Sequence, residues 1–383
     1  MKTPYFLVDE QLIEKNLKIL AKVKKETDCK ILLAQKAFSS YDFYPLISKY
    51  LDGTTTSGLF EARLGQEKFG KETHVFAPAF TDGDMHEITK ICDHIVFNSK
   101  AQLLKHYDAC KKANMQIGVR VNPEHRTQDH DIYDPCAPFS RFGIRAVDLD
   151  DEILSRVDGL HFHTLCEQDF EPLKQTLAVF EKKFAKALSQ IGSKGRSWWV
   201  NFGGGHHITR DDYNVDGLIK LINDFKKKYN AQVYLEPGEA VVLNSGFAYV
   251  TVMDIVHNEK EIAIVDFSPA CHAPDILIGH YRPIITGATL ENEASFKQIT
   301  NGYKYRLAST ACLAGDIIGD YIFDKPLEVD DIIEFCDMAI YTITYTSMFN
   351  GINTPSIYKR DLNGRTELLR EFGFADYMSR LGR

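Results

Sequence analysis

Short apolar runs alternate with amphipathic stretches through the first part of the chain. The apolar runs lie at residues 31–36, 53–56, 74–77, 94–97, 116–121, 159–163, 198–202 and 232–236. Most of them precede a stretch with apolar residues at helical spacing, at 41–50, 59–68, 82–91, 100–113, 170–190 and 215–229. About eight strand–helix units in succession predict a TIM-like (β/α)8 barrel, with a doubly wound sheet as the structural alternative.

The pattern changes near residue 245, where the helical spacing ends. Further strands are predicted at 247–257, 261–267, 298–308, 332–334 and 339–343, with turn residues rather than helices between them. We therefore expect a barrel domain over residues 9–245 and a mostly β domain over residues 246–383. A strand at 5–8 precedes the first helix, which Asp9 caps, and residues 1–8 are expected to join the β domain.

Composition narrows the class of protein. The chain has 383 residues, 44% of them hydrophobic, which suits two domains with a large core. Its net charge of −8 argues against a nucleic-acid partner and is compatible with cationic small molecules. The eight cysteines form no CxxC pair, so we expect no metal site. Without a signal peptide or a membrane-length apolar run, we expect a cytoplasmic protein with reduced thiols and no membrane partner.

Lys36 is the most informative single residue. It lies at the end of the apolar run Ile31-Leu32-Leu33-Ala34-Gln35, where a lysine points into a pocket or an interior layer. Burial disfavours the ammonium form, lowers the pKa and gives a nucleophilic amine, as a Schiff-base lysine requires. The alternative is a lysine at a strand end whose amine reaches water.

Other unusual residues fall at the carboxyl ends of predicted strands, where barrels carry their chemistry. Gly203-Gly204-Gly205 can expose backbone amides to a phosphate, or it can be a flexible turn. Glu236 leaves an apolar run and needs a partner, either a pyridinium nitrogen or a salt bridge within the barrel. His163 can stack on an aromatic ring or be an ordinary core histidine. Together with Lys36, this order of groups suggests pyridoxal phosphate.

A set of motifs also links the chain to a known family. The motifs are Ala34-Gln35-Lys36-Ala37, Ser57-Gly58 with Glu61, Ser140-Arg141-Phe142-Gly143, His161-Phe162-His163, Asn201-Phe202-Gly203-Gly204-Gly205, Glu236-Pro237-Gly238, Ala311-Cys312 with Gly315-Asp316, and Tyr341. In order and spacing the chain resembles the alanine-racemase-fold (fold-type III) pyridoxal-phosphate decarboxylases, which include the diaminopimelate, ornithine and arginine decarboxylases. The resemblance covers nearly the whole chain.

The resemblance implies roles for these residues. Lys36 would carry the cofactor covalently, and Cys312 would be the acid that protonates the carbanion after carbon dioxide leaves. In this family the cysteine arrives from a second subunit, which implies a homodimer with shared active sites. The cofactor-binding residues implied by the resemblance are Lys36, His163, Gly204, Gly205, Glu236, Gly238 and Tyr341.

Departures from the relatives bear on the substrate. Where diaminopimelate and ornithine decarboxylases carry an arginine, this chain has Glu239, which suits a cation. Asp275 offers a second carboxylate, although both acids can instead be solvated surface groups. Asp316 either contacts substrate or orients a loop. The segment Thr164-Leu165-Cys166-Glu167 replaces a Ser-Gly phosphate contact, so that contact would have to come from elsewhere.

If Glu239 and Asp275 line the pocket, the distal end of the substrate is a protonated amine. This disfavours diaminopimelate, whose distal end also carries a carboxylate, and favours carboxynorspermidine or carboxyspermidine. We therefore expect a decarboxylase of polyamine (spermidine) biosynthesis that forms norspermidine or spermidine. The alternatives are a decarboxylase of meso-diaminopimelate, ornithine or arginine, a racemase of the same fold, and a non-catalytic cofactor-binding relative.

Overall fold

The computed structural model of the protein describes residues 1–128, 130–194, 197–279, 281–293 and 302–382. The strands are β1 (Tyr5–Asp9), β2 (Lys30–Ala34), β3 (Gly53–Thr56), β4 (Glu72–Phe76), β5 (His94–Phe97), β6 (Gln116–Asn122), β7 (Ile144–Arg145), β8 (Gly159–His161), β9 (Trp199–Asn201), β10 (Gln232–Leu235), β11 (Gly246–Asn258), β12 (Lys260–Val265), β13 (Ala288–Leu290), β14 (Tyr303–Ser309), β15 (Ile317–Phe323), β16 (Ile332–Cys336), β17 (Ser356–Arg360) and β18 (Thr366–Arg370).

The α-helices are α1 (Glu10–Thr27), α2 (Tyr44–Ile47), α3 (Leu59–Leu64), α4 (Asp82–Ile91), α5 (Lys100–Lys112), α6 (Asp151–Arg156), α7 (Phe170–Lys183), α8 (Ala185–Gly192), α9 (Val215–Tyr229), α10 (Glu239–Val242), α11 (Pro269–His272), α12 (Asp275–Ile278) and α13 (Phe374–Ser379). Short 3-10 helices lie at Tyr41–Phe43, Asp131–Tyr133, Ala146–Asp148, Glu291–Glu293, Ile343–Tyr345 and Phe349–Gly351, and a π-helical turn lies at Gly65–Phe69.

Eight parallel strands close into a barrel, which confirms the predicted fold class. Their order is β5-β4-β3-β2-β10-β9-β8-β6, and the pairing of β5 with β6 closes the ring. The short strand β7 pairs with the carboxyl-terminal end of β6. Since strands and helices alternate, the helices cover the outside of the barrel and the inward side chains fill it. Asp9 accepts a hydrogen bond from the Gln11 amide (2.8 Å) at the start of α1, as a capping residue does.

Trp199 fills much of one layer of the barrel interior. It packs with Leu32, Val96 and Tyr234 in a buried apolar cluster. The neighbouring strand β8 has a glycine at the position opposite, Gly159, where an added Cβ would lie 2.1 Å from the indole. The absence of a side chain on β8 therefore makes room for the largest side chain on β9.

The remaining strands form a second sheet, in the order β13-β15-β14-β12-β11-β1-β17-β18, with β16 paired to β11. The N-terminal strand β1 is antiparallel to β11 and parallel to β17, so the chain's first strand belongs to this sheet. A buried apolar core covers one face of the sheet and includes Phe6, Phe267, Phe335 and Leu307.

The chain divides into two compact units. The barrel unit comprises Glu14–Val241, and the β unit comprises Met1–Ile13 with Val242–Arg383. These limits lie within a few residues of the expected boundaries at 8/9 and 245/246.

Some predicted elements differ from the structure. The strand predicted at 339–343 is wrong, because Asp337 and Tyr341 have positive φ values of 55° and 49° and the segment turns. The helix predicted at 170–190 is two helices, α7 and α8, separated at Phe184 (φ −105°, ψ 20°). Of the strand predicted at 298–308, residues 298–301 lie outside the described residues, and β14 begins at Tyr303. Sequence patterning did not predict β13, β15, β17 or β18.

Within the described ranges, no helix is both long and apolar enough to cross a membrane. All eight cysteines have free thiols, and Cys29, Cys92, Cys110 and Cys136 are buried in the barrel unit. The structure therefore uses these thiols as packing groups rather than as cross-links.

Candidate active site

Three neighbouring barrel strands place a polar side chain at the same level of the interior. The register pairs Arg120 on β6 with His161 on β8, and His161 with Asn201 on β9. Register partners point to the same face of a sheet. All three side chains are buried. We call Arg120, His161 and Asn201 the polar layer, and it lies at the carboxyl ends of the strands.

Glu236 follows β10 and is bound by two members of the polar layer. The Asn201 amide donates to Oε1 at 2.7 Å, and His161 Nε2 lies 3.2 Å from Oε2. Burial opposes ionisation of this carboxyl group, but its interactions with His161 and Asn201 outweigh burial and hold the pKa of Glu236 well below its usual range. Glu236 is therefore a carboxylate at neutral pH.

Arg120 supplies a buried cation beside that carboxylate. Its Nη2 donates to the His163 carbonyl at 2.7 Å, and its guanidinium lies over the rings of both Phe76 and Phe142, at 4.7 and 4.5 Å from the ring centroids. Burial lowers the pKa of Arg120 to about 10, against the opposing charge of Glu236. A buried arginine needs such a partner, so the two charges stabilise each other inside the barrel.

Lys36 stands just beyond the end of β2, with its Nζ 3.4 Å from His163 Nε2. The side chain is exposed to solvent at the barrel mouth. Desolvation first, and then the charge of Arg120, lowers the pKa of Lys36, while Glu239 and Glu236 oppose that shift. A lowered pKa leaves more of the amine in its neutral, nucleophilic form.

The turn that carries Lys36 is held by its neighbours. The Gln35 side chain is fully buried, donates to the Glu61 carbonyl at 2.7 Å and accepts from the Tyr44 hydroxyl at 2.7 Å. On the other side, the Ala34 amide donates to the Pro237 carbonyl at 3.0 Å. The strand end therefore has little freedom, and Lys36 has a fixed starting point.

His163 contacts the glycine loop that follows β9. Its Nδ1 lies 3.2 Å from the carbonyl oxygen and 3.3 Å from the amide nitrogen of Gly204. Burial and the charge of Lys36 keep the pKa of His163 well below its usual range, so the ring is neutral. Gly203 and Gly205 have φ values of +70° and +81°, which side-chain-bearing residues rarely adopt.

The loop after β8 lies against the same glycines. The Gln168 amide donates to the Gly205 carbonyl at 3.1 Å, and a Cβ added to Gly205 would lie 2.0 Å from the Leu165 carbonyl. The segment 164–167 is therefore part of the wall around the glycine loop.

Glu239 begins α10 and is buried in the barrel unit, with 5% of its surface exposed. Its charge raises the pKa of Lys36, so it acts on a cation in the barrel mouth. Gly238 precedes it and packs tightly, since an added Cβ would lie 2.6 Å from the Ala37 Cβ.

The β unit carries the remaining predicted residues. Cys312 is exposed on the turn between β14 and β15, and its amide donates to Asn350 Oδ1 at 2.8 Å. Asp316 is buried on the same turn, and its Oδ1 accepts from the Ala270 amide at 2.8 Å. Its Oδ2 accepts from the Ser268 hydroxyl at 2.6 Å.

Asp275 and Tyr341 complete the set in the β unit. Asp275 is half-buried at the start of α12, and burial raises the pKa of its carboxyl group. Tyr341 lies in the turn that replaces the predicted strand at 339–343. The structure thus brings Lys36, His163 and Glu236 together with Glu239 in the barrel unit, and it puts the others on loops of the β unit.

Sequence reasoning assigned no role to the polar layer. Arg120 lies in the run Gly118-Val119-Arg120-Val121, where a charged residue inside an apolar strand is a signal of a buried ion pair. His161 and Asn201 belong to two of the family motifs, but their hydrogen bonds with Glu236 depend on strand register.

A separate cluster, Glu72, His74 and His94, has ligand atoms within 4.8 Å of one another among the described residues. Lys30 forms an ion pair with Glu72, and the Tyr234 hydroxyl donates to the same carboxylate at 3.3 Å. The two imidazole rings stack in parallel, with centroids 3.8 Å apart and planes 9° apart. Parallel stacked rings do not aim two nitrogen lone pairs at one ion, so this geometry is that of an ion-pair and stacking cluster.

The donor set of the barrel mouth fits pyridoxal phosphate. A lysine amine of lowered pKa suits an aldehyde, and an ionised carboxylate suits a protonated pyridine nitrogen. A neutral imidazole beside the lysine suits the face of an aromatic ring. A glycine loop after a late barrel strand lies where barrels bind phosphate.

Comparison with known proteins agrees with this chemistry. The model of the family described as "Pyridoxal-dependent decarboxylase, C-terminal sheet domain" matches residues 38–339. A protein of Campylobacter jejuni named carboxynorspermidine/carboxyspermidine decarboxylase is 41% identical over 384 aligned residues, which cover 99% of this chain and 98% of that protein. A Synechocystis protein named carboxyaminopropylagmatine decarboxylase is 37% identical, over 100% of this chain and 96% of that protein.

Solved structures are similar over the same length. The crystal structure of carboxynorspermidine decarboxylase from Campylobacter jejuni, complexed with norspermidine, has a TM-score of 0.88 and 38% identity, over 99% of this chain and 100% of that one. The structure of diaminopimelate decarboxylase from Helicobacter pylori, complexed with L-lysine, has a TM-score of 0.84 at 17% identity, over 100% of this chain and 97% of that one, and supports the fold alone.

Proposed function

Since the chain belongs to the family of pyridoxal-dependent decarboxylases, we propose that it decarboxylates carboxynorspermidine and carboxyspermidine to norspermidine and spermidine in polyamine biosynthesis. The single observation that carries the substrate is the full-length, 41% identical relative that bears this name. The buried acidic side chain of Glu239 in the barrel unit supports it physically, because a carboxylate suits an ammonium group of the substrate. The enzyme is a carboxy-lyase that uses pyridoxal phosphate.

In this proposal the barrel unit holds the cofactor. Lys36 binds it through its amine, Glu236 pairs with its ring nitrogen, and His163 stacks on its face. Gly204, Gly205 and Tyr341 would bind its phosphate, and Gly238 would be a further cofactor-binding residue. When bound, pyridoxal phosphate supplies an electron-poor ring that accepts the electron pair left when carbon dioxide departs.

The distal end of the substrate is an ammonium-bearing chain. We assign Glu239 and Asp275 to its ammonium groups, because carboxylates held in partly desolvated positions recognise cations strongly. Both oxygens of Asp316 accept hydrogen bonds from within the β unit. This occupancy favours orientation of the Cys312 turn, rather than a direct substrate contact, as the role of Asp316.

The working form is a homodimer in which Cys312 of one copy protonates the product carbon at the barrel of the other. An exposed thiol on a turn, with no buried surroundings of its own, supports a role toward a second molecule. Exposed apolar side chains of the β unit support a second copy as the partner: Leu313, Tyr345, Phe349, Phe374, Met378 and Leu381 are all at least 43% exposed. The free thiols suit the cytoplasm.

The test is carbon dioxide release by the purified, cofactor-loaded protein from a panel of substrates. The panel contains carboxynorspermidine, carboxyspermidine, meso-diaminopimelate, ornithine and arginine. We expect a strong preference for the two carboxylated triamines, which differ by one methylene and are discriminated by only about 1–3 kcal/mol. Preference for diaminopimelate would contradict the roles of Glu239 and Asp275.

A variant tests the distal charge directly. Glu239→Gln keeps the shape and removes the charge, and we expect it to raise KM for the triamines roughly 10- to 100-fold, as for the loss of a charge-assisted hydrogen bond. Glu87→Gln, at an exposed helical site, is the matched control and leaves KM unchanged.

A second candidate substrate is carboxyaminopropylagmatine. The 37% identical relative with that specificity in its name favours it. This molecule ends in a guanidinium group, which the same acidic residues would bind, so it belongs in the substrate panel. Release of carbon dioxide from it at a higher kcat/KM than from both triamines would move the assignment to this substrate.

A further inference from the structure

Among the described residues, the His161 side chain makes a single hydrogen bond, and that bond is to Glu236. His161 is 2% exposed, and its Nε2 lies 3.2 Å from Glu236 Oε2. Its Nδ1 is buried and has no hydrogen-bond partner among the described residues. On one side the ring lies against Phe76, with centroids 5.7 Å apart. A buried nitrogen without a partner is costly, so the placement of this ring needs a reason other than its own stability.

The arrangement fixes where the proton lies on the ring. Burial lowers the pKa of His161, so the ring is neutral and has one N–H. Because Nε2 faces a carboxylate oxygen and Nδ1 faces no acceptor, the proton lies on Nε2, and His161 donates to Glu236. The other titratable groups that interact with the ring are the cations Arg120 and Lys36, which disfavour a second proton, and His163, whose own pKa the interaction with His161 lowers.

The second donor to Glu236 has a different connection. Asn201 donates to Glu236 Oε1 and also accepts, through Oδ1, from the Gly203 amide at 2.9 Å. Changing Asn201 therefore disturbs the glycine loop as well as the carboxylate. His161 makes no second hydrogen bond to the part of the chain that the structure describes, so its removal breaks only the hydrogen bond to Glu236.

We propose that His161 is a positioning residue that donates from Nε2 to orient the Glu236 carboxylate and keep it ionised toward the ring nitrogen of pyridoxal phosphate. This inference rests on the proposed function, in which Glu236 pairs with that nitrogen. The side chain contacts neither substrate nor cofactor in this role. It acts through the geometry and charge of Glu236.

Three substitutions of His161 distinguish the effect of its Nε2 hydrogen-bond donor from the effect of the imidazole ring itself. His161→Gln places an amide donor near the Nε2 position, His161→Asn places one near Nδ1, and His161→Leu has no donor. We expect the Leu and Asn variants to bind pyridoxal phosphate on the order of 10- to 100-fold more weakly and to lose kcat by a similar factor. The Gln variant should retain both to within about threefold.

The decisive readout is spectroscopic. The visible absorbance of the bound cofactor is followed as a function of pH. The pH at the midpoint of the absorbance change should shift in the His161→Leu and His161→Asn variants and should be unchanged in the His161→Gln variant. His106→Leu is the matched control, because His106 is also buried, stacks on an aromatic ring and has a nitrogen without a partner among the described residues. It should leave cofactor affinity and spectrum unchanged.

The outcomes are distinguishable. If His161→Leu does not fold, the contrast between the Gln and Asn variants decides. Equal spectra and affinities in those two variants would overturn the proposal. A Lys36→Ala variant in the same series tests the cofactor assignment: if it keeps the bound-cofactor absorbance, the proposed function fails, whereas its loss with an unchanged His161→Leu spectrum refutes only the role of His161.

Discussion

The two units hold their site residues in contrasting ways. In the barrel unit, Glu236 and Arg120 lie in a packed interior where each charge has a partner and fixed hydrogen bonds. In the β unit, Cys312 stands exposed on a turn, and the buried Asp316 beside it serves the turn itself. In the proposed mechanism, the barrel therefore provides fixed electrostatics for the cofactor, and the β unit provides an exposed thiol for a second copy.

This contrast has a physical origin. The inward side chains of parallel strands are fixed by register, so a polar layer forms where three strands carry polar residues at one level. A turn has no such layer, and its side chains are oriented by local hydrogen bonds such as that from the Cys312 amide to Asn350. Substitutions in the barrel interior should therefore change both the charge of the site and the unfolding free energy. Substitutions at the Cys312 turn should change catalytic activity alone.

Loss of the barrel lysine should have the largest effect. Lys36→Ala removes the amine that we propose binds the cofactor, and we expect turnover to fall by at least about a thousandfold. The bound-cofactor absorbance should vanish with it. Carbon dioxide release and an absorbance spectrum measure both, with the exposed Lys111→Ala as the control. A Lys36→Ala enzyme with full activity would rule out the assignment.

Acid should destabilise the barrel unit through its buried histidines. Burial lowers the pKa of His206 to about 3. An unfolded histidine takes up a proton below its ordinary pKa of about 6.5, while the folded one does not until about pH 3, so stability falls as pH falls through that window. As the pH is lowered from 6.5 to 4, the unfolding free energy of both proteins should fall. The fall should be roughly 3 kcal/mol smaller for His206→Gln than for the wild type.

Denaturant titrations at several pH values measure this difference. His257→Gln is the control, because this side chain is 68% exposed in the β unit. It should follow the wild-type pH dependence. If the unfolding free energy of His206→Gln and of the wild type falls with pH at the same slope, this buried ring does not set the acid sensitivity.

Cys312 and Cys271 provide the sharpest contrast within the β unit. Cys312→Ala should lower kcat about 100-fold, the size of a general-acid contribution, without changing thermal stability, because the thiol is exposed. Cys271 is fully buried, so Cys271→Ala should cost about 1 kcal/mol of unfolding free energy and leave kcat intact. Steady-state kinetics and thermal melts of both variants would refute this division if the effects were exchanged.

The last prediction concerns packing in the barrel interior. Gly159→Ala adds a methyl group 2.1 Å from the Trp199 indole and should cost about 1–3 kcal/mol of unfolding free energy. Gly373→Ala in the β unit has open space around the added Cβ and should be nearly neutral. Chemical denaturation measures both. A neutral Gly159→Ala would mean that the barrel layer has room to adjust.

Much of the barrel and its site is predictable from sequence, because each strand carries its own signal. Lys36, His163 and Glu236 stand at or just beyond strand ends, where a periodic pattern locates them. The polar layer is not predictable in this way, because Arg120, His161 and Asn201 meet only through the register of three strands. The β unit is harder, since positive φ values at Asp337 and Tyr341 turn an apolar run away from strand geometry.

The most direct test of the contrast between the units is a mixing experiment. Equal amounts of Lys36→Ala and Cys312→Ala proteins are dissociated, mixed and reassociated, and carbon dioxide release from carboxynorspermidine is measured. If the barrel of one copy works with Cys312 of another, half of the dimers are mixed and each has one intact site, so activity should recover to about one quarter of wild type. If activity stays at the low level of the separate variants, Cys312 does not serve the barrel of a second copy.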